Sequence, residues 1–388
     1  MLAYHFTEMP YPHGPEDVEQ SYKSARVIVP NSYADPVQVA ALYNRYLDEY
    51  EYADELGLDL MLNEHHQTLT CLESAMPLSA ATLARRTKQA KILLLGTPIA
   101  NRDNPVRVAE EIAMLDCISR GRIISGFVRG VPTEIHPANT NPAQNRQRFE
   151  EAHDLILKAW TTHEPFNWEG QFWHYRYVNV WPRTYQQPHP PIWITGSSLE
   201  SVPWVADHGY TFASFLTPYD WTRSLVDRYK QRCADIGQPE PGPDRFAYLA
   251  LCYTAETDEQ AQREGQALQW YLHRQRHPQF NTPPGYAPPN QVAKTMLGTA
   301  GKGYRDSWET LQEKGVVMVG SPNTMIRKIR TLYEKCGIGH LLMMNQAGPL
   351  ASPQVRRSIE LFAKEVYPAI RDLGETGVTT RAKDMVAA

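Results

Sequence analysis

Cysteine is scarce in this 388-residue chain. There are five (Cys71, Cys117, Cys233, Cys252, Cys336), an odd number with no CxxC pair. That excludes a disulfide-stapled secreted scaffold and predicts reduced thiols in a cytoplasmic protein. Long apolar runs are missing too. The longest, around Ile92–Leu95, is strand-sized, far below the roughly 18 residues that span a bilayer. The opening Met1-Leu2-Ala3-Tyr4-His5-Phe6 lacks the basic region and apolar stretch of a secretory signal, so no membrane association is expected. No sign of charge dominates: 39 basic and 43 acidic residues are intermixed, for a net charge of −4. Without a basic block, a nucleic-acid partner is not expected. Three signatures are absent: GxGxxG after the first strand, GxxxxGK[ST] and GxSxG. Their absence argues against an integral nicotinamide site, a P-loop and a serine-hydrolase elbow.

What is present is ordinary globular composition, 42% hydrophobic and 21% charged, in a chain long enough to bury a core without staples. Nine Trp and 21 Tyr form an aromatic surplus that suits a core and also a pocket for a flat or apolar ligand. Short apolar runs predict strands at 2–6, 58–63, 91–97, 122–127, 191–195, 210–214, 246–253 and 340–344. Helices alternate with them. Asp35-Pro36 and Asn104-Pro105 are helix starts, Gly57 and Gly121 are stops, and Ser198 or Glu200 opens a later helix. Eight strand–helix units predict an α/β fold of the (β/α)8 TIM-barrel type.

Two segments exceed ordinary connections. The stretch 163–190, rich in Trp, Tyr and Pro, joins a helix to the next strand. It is therefore expected at the N-terminal face as a structural hairpin or flap without function. The stretch 255–320 follows the seventh strand. With Trp270, Phe280 and Tyr286 it reads as a lid at the C-terminal face, where barrel active sites lie. Surface decoration explains it equally well.

The chemistry-bearing residues collect at predicted strand ends. The second strand runs into Glu64-His65-His66, and histidine is the natural proton carrier near neutral pH. Alternation points His65 and His66 opposite ways. A metal site has little support: no His-x-His occurs, and the His273/His277 pair is flanked by Arg274 and Arg276. Strand three ends Gly96-Thr97-Pro98, offering a small hydroxyl and a fixed turn. Strand four ends Val128-Arg129-Gly130-Val131, an arginine beside a glycine that lets backbone approach an anion. Strand five ends Thr195-Gly196-Ser197-Ser198 with Ser201 a turn later, which reads either as a phosphate cradle or as a plain helix cap.

In this order, together with Pro105-Val106-Arg107, Glu110 and Gly121-Arg122, these motifs resemble the bacterial-luciferase-like flavin monooxygenases. The resemblance extends to about residue 372, giving one domain over 1–372 and a tail over 373–388. It implies a barrel that binds reduced FMN non-covalently, receives it from a separate NAD(P)H:flavin reductase, and oxygenates a small organic substrate through a peroxyflavin. It also implies a catalytic His65, an anion-facing Arg129 and a phosphate turn of Ser197, Ser198 and Ser201. Glu64, Thr97, Pro98, Val128, Gly130, Val131, Thr195 and Gly196 then line the cofactor. Two positions depart from the luciferase itself: Val128 stands where it has a reactive cysteine, and Ser197 where it has an acidic residue. Light emission from a long-chain aldehyde is therefore not expected. A deazaflavin-dependent hydride-transfer enzyme, which shares the barrel, and a non-catalytic flavin-binding barrel stay open. Family members commonly self-associate. Four tyrosines on one early helix (Tyr43, Tyr46, Tyr50, Tyr52) predict a second buried face and a homo-oligomer.

Overall fold

The apolar runs become strands because helices or the barrel interior cover both of their faces. The computed structural model describes residues 1–15, 21–22, 27–273 and 306–374. Its strands are β1 (Leu2–Thr7), β2 (Asp59–Leu62), β3 (Ile92–Pro98), β4 (Ile123–Val128), β5 (Phe166–Glu169), β6 (His174–Val178), β7 (Ile192–Thr195), β8 (Thr211–Phe215), β9 (Phe246–Thr254), β10 (Val317–Gly320) and β11 (His340–Gln346). The order β1-β2-β3-β4-β7-β8-β9-β11 returns to β1, every pairing in it parallel, and a TIM barrel closes. Each expected barrel strand is present, shifted by a residue or two at its ends. The short β10 was not expected. It lies beside the last part of β9, from Leu251 onward, where pairing with β8 has already ended at Leu249.

Local chemistry sets the helices. In α1 (Pro36–Glu55) the Asp35 carboxylate accepts from the Val37 N–H and Pro36 opens the first turn. The helices α2 (Met76–Arg86) and α3 (Pro105–Ser119) follow β2 and β3. Asn104 caps α3 through the Arg107 N–H, and Arg120 and Gly121 end it in the left-handed region. Arg122 belongs to the motif of the resemblance, but its work is structural. Its guanidinium donates to the carbonyls of Ala84, Thr87 and Ala90 and to the Thr87 hydroxyl, tying the end of α2 to β4. After β4 come a single turn, α4 (Pro132–Ile135), and a long helix, α5 (Asn145–Thr161). After β7 and β8 come α6 (Val202–Asp207) and α7 (Tyr219–Asp235).

The tyrosines of α1 are all used within the chain. Tyr46 donates to the Pro10 carbonyl, Tyr50 to Met61 and Tyr43 to Leu72, while Tyr52 lies under the Arg356 guanidinium. The tyrosine surplus therefore does not call for a second buried face, and the oligomer expectation loses that support.

The 163–190 segment also differs from expectation. It leaves α5 at the N-terminal face, but the hairpin β5–β6 climbs the flank of α5 toward the opposite end. The Glu151 carboxylate, early in α5, accepts from the N–H groups of Gln171, Phe172 and Trp173 and from the Trp168 indole. Trp173 donates to the Asp103 carbonyl and Tyr175 to Asn104, both just after β3. A turn held by the Glu151 carboxylate, not chain order, decides where the hairpin tip sits.

Beyond β9, the described flanks of the 255–320 stretch pack on the barrel: Leu268, Tyr271, Leu272 and Trp308 are buried, and Trp270 rests partly buried against the core. Phe280, Tyr286, His277 and about half of the expected lid, residues 274–305, lie outside the described residues, as does the tail beyond 374. No disulfide joins the five cysteines, all of which are described residues. Among the described residues no helix is long and apolar enough to cross a membrane.

Candidate active site

Three strand exits at the C-terminal face build an acid–histidine cluster. Glu8 follows β1, Asn63–His66 follow β2, and Glu134 sits in α4 after β4. His65 lies between two carboxylates. Its Nδ1 is 2.9 Å from Glu134 Oε1 and its Nε2 is 3.4 Å from Glu8 Oε1. Both acids are nearly sealed from solvent, with 4% and 1% of their side chains exposed, whereas His65 keeps 18%. The second oxygens are also committed: Glu134 Oε2 accepts the His66 N–H, and Glu8 Oε2 accepts from Asn63 Nδ2. The His65 N–H donates to the Glu73 carbonyl, which fixes the loop beneath it.

The His66 ring has a different partner from the His65 ring. β2 ends at Leu62, so strand alternation no longer applies at residues 65 and 66. Its Nε2 meets Glu64 Oε1 at 2.9 Å, and Glu64 also receives Arg102 and the Met76 N–H. The Glu64 contact raises the His66 pKa, burial opposing it. A cavity of about 160 Å³ opens beside this pair, lined by His66, Pro98, Arg102, Glu134 and neighbouring residues.

Glu73, close beneath, accepts from the Ser79 hydroxyl at 2.9 Å. Burial pushes its carboxyl up to about 8, with Ser79 opposing and Glu64 reinforcing the shift. A folded-state value above the ordinary one means that stability is fully present below the usual carboxylate range and is lost as pH rises toward about 8. Glu73→Gln retains an oxygen for Ser79 and removes the ionisation. The variant should resist urea better than the parent at pH 8, with the two converging near pH 5, since each unit of pKa displacement corresponds to about 1.4 kcal/mol. An equal gain at both pH values would refute this account.

The exits of β4 and β7 form the second part of the site. Phe127 pairs with Ile194, which brings Arg129 alongside Gly196. Arg129 is exposed at the opening of the C-terminal face. Loss of water around its guanidinium depresses its pKa, Arg146 adding to the effect, while Glu150 and Glu200 oppose it. Among the described residues its guanidinium has no hydrogen bond or ion pair. Gly130 adopts φ +81°, and a Cβ there would meet Asn101 Nδ2 at 2.4 Å, so the left-handed backbone beside Arg129 favours glycine. Across from it, the Ser197 hydroxyl and the N–H groups of Ser197 and Ser198 have no partner among the described residues.

The neighbouring groups are committed elsewhere. The Thr195 hydroxyl and Gly196 N–H both donate to the Ala213 carbonyl, Trp221 holds the Ser197 carbonyl, and Ser201 donates to the Ser198 carbonyl. The helix begins later than expected, with Ser201 at its N-cap rather than Ser198 or Glu200. Thr97 is buried, its hydroxyl directed to the Leu94 carbonyl. Val128 fills the space that a side chain at Gly96 would need, and Val131 is exposed.

The sequence profile of luciferase-like monooxygenases matches residues 25–340. The chain belongs to this family. A member of similar sequence is the alkanal monooxygenase alpha chain of Photobacterium leiognathi, 23% identical over 82% of this chain and 91% of that one. Among solved structures, the oxygenating constituent of 3,6-diketocamphane monooxygenase from Pseudomonas putida, in complex with FMN, superposes with a TM-score of 0.71 at 21% identity. The match covers 95% of this chain and 98% of that one. An F420-dependent secondary alcohol dehydrogenase shares the fold at a TM-score of 0.65 and 18% identity, over 84% and 94% of the two chains.

In this luciferase-like chain the barrel thus gathers the expected candidates into two groups, Glu64-His65-His66 on one side of the face and Arg129 with the Ser197–Ser198 turn on the other. Glu8 and Glu134 had not been singled out. The signal for both was available, since each is a carboxylate within a few residues of a barrel strand's C-terminal end. Among the described residues no cluster of three or more His, Cys, Asp or Glu has the geometry of a metal site.

Proposed function

We propose that the chain is the oxygenase component of a two-component flavin monooxygenase. It takes up reduced FMN non-covalently from a separate NAD(P)H:flavin reductase and oxygenates a small organic substrate. The observation that carries this reading is the set of unpartnered donors at the β4 and β7 exits. A fork-shaped cation, a hydroxyl and two N–H groups facing one mouth suit a phosphate monoester, which has the charge and the acceptors to satisfy them. The family relationship and the FMN complex of the diketocamphane enzyme support the same choice.

When bound, the reduced flavin supplies the electrons that activate oxygen. The chain's own residues do the rest. Arg129 and the serine turn hold and orient the phosphate end. His65, fixed between Glu8 and Glu134, holds or moves a proton at its ring nitrogens. Pro98 and the apolar atoms around the cavity beside His66 limit water on the histidine side of the site.

The same anchors would serve a deazaflavin, and the shared fold of the alcohol dehydrogenase keeps that cofactor as the competing reading. Mixing the protein with reduced FMN and then oxygen separates them. The expected result is bound flavin that reoxidises far more slowly than free flavin, with little NAD(P)H oxidation unless a reductase is added. Reoxidation at the free-flavin rate, with substrate reduction supported by reduced deazaflavin, would overturn the proposal.

A further inference from the structure

Glu134 has no part in holding a phosphate, yet it is among the most tightly committed carboxylates at the C-terminal face. It sits on the single turn α4, five residues past Arg129, and reaches a loop 69 residues away in sequence. Its oxygens are divided between two successive residues of that loop: Oε1 meets His65 Nδ1 at 2.9 Å, and Oε2 accepts the His66 N–H at 3.1 Å. A carboxylate that grips both the ring of one residue and the backbone of the next sets the position and the rotation of the imidazole together. The second acid is not equivalent. Glu8 faces Nε2 at 3.4 Å, longer than an ordinary N–H···O hydrogen bond. The other charged groups packed around the ring are spoken for: Glu64 by His66 and Arg102, and Glu73 by Ser79.

We infer that Glu134 is the positioning residue of the site: it keeps the proton of His65 on Nδ1, so that Nε2, on the Glu8 side, is the nitrogen that exchanges protons during turnover. Because Glu134 lies in the same loop as Arg129 and Gly130, it also ties the phosphate side of the mouth to the histidine side. The inference rests on the proposed oxygenase only for its effect on turnover. The tautomer and the orientation of the ring follow from the protein alone.

The test uses the full chain labelled with 15N-histidine, with His65→Gln to assign the ring signals. In the parent, His65 should show the pattern of an Nδ1–H imidazole. Glu134→Ala should abolish that pattern, and Glu134→Gln, which keeps an acceptor oxygen, should largely restore it. In a reductase-coupled assay Glu134→Ala should lower kcat by roughly 10- to 100-fold, with KM and FMN affinity changed only a few-fold, and Glu134→Gln should recover most of the loss. An unchanged His65 spectrum in a folded Glu134→Ala variant would overturn the inference, as would a Gln variant no better than Ala in both readouts. If the parent shows the expected ring pattern and its loss in the Ala variant, but no oxygenation with reduced FMN, the inference about Glu134 stands and the proposed function falls.

Discussion

His65→Ala is expected to lower turnover by about 10²- to 10⁴-fold, the usual contribution of a positioned acid–base group. FMN affinity should stay within a few-fold, because Arg129 and the serine turn belong to other strand exits. The structure adds a control that the sequence could not supply. Removing the ring leaves Glu8 and Glu134, two nearly buried carboxylates, facing one gap, so the alanine variant should also melt lower than the parent. His65→Gln fills part of that gap and can donate to one of the acids. It should regain stability without regaining turnover. If Gln restores both, the role of His65 is structural. His66→Ala removes a partner of Glu64 that Arg102 still serves, and should cost less activity. A normal rate for His65→Ala in a reductase-coupled oxygenation assay, or a dead His66→Ala beside it, would reassign the chemistry.

Arg129→Ala is expected to weaken FMN binding by about ten- to a hundredfold, since a hydrogen bond to a charged group contributes about 1.5–3 kcal/mol. Riboflavin, which lacks the phosphate, should bind parent and variant alike. Arg129→Lys should fall between them, because it keeps the charge and loses the two-pronged donor geometry. Ser197→Ala removes one neutral donor and should cost only a few-fold. Titrating the four proteins with FMN and riboflavin decides the matter: equal affinities of the parent for the two flavins would mean that the phosphate is not read here. Raising salt should narrow the gap between parent and Arg129→Ala, since the mouth is open to solvent.

Much of the barrel was legible in the sequence. The eight strands are short apolar runs bounded by polar or glycine stops, and caps such as Asp35-Pro36 and Asn104-Pro105 act over two or three residues. Signals of that reach are local and survive without knowledge of the fold. Strand ends followed by Glu64-His65-His66, Arg129 or Ser197-Ser198 were legible for the same reason: in a closed parallel barrel, every residue just past a strand shares one face.

Partnerships were another matter. Nothing near His65 in the chain names Glu8 or Glu134; only the side-by-side pairing of β1 through β4 in the barrel wall brings the exits of β1, β2 and β4 together. The same holds for groups whose chemistry is spent. Thr195 and Gly196 looked available, but the neighbouring strand β8 takes their donors through the Ala213 carbonyl. The tyrosines of α1 looked surplus, yet the hydroxyls of Tyr43, Tyr46 and Tyr50 find carbonyls in β2 and in the loops after β1 and β2. Chain order places the root of the hairpin after α5, while Glu151 and the loop after β3 place its tip. Composition and periodicity therefore determined which segments are strands and which end of each carries chemistry, because those depend on burial and on neighbours a few residues away. Which donors remain free, and which acid holds which histidine, was decided only by the tertiary structure, because hydrogen bonds saturate: a group is available to a ligand only if no distant residue has already claimed it.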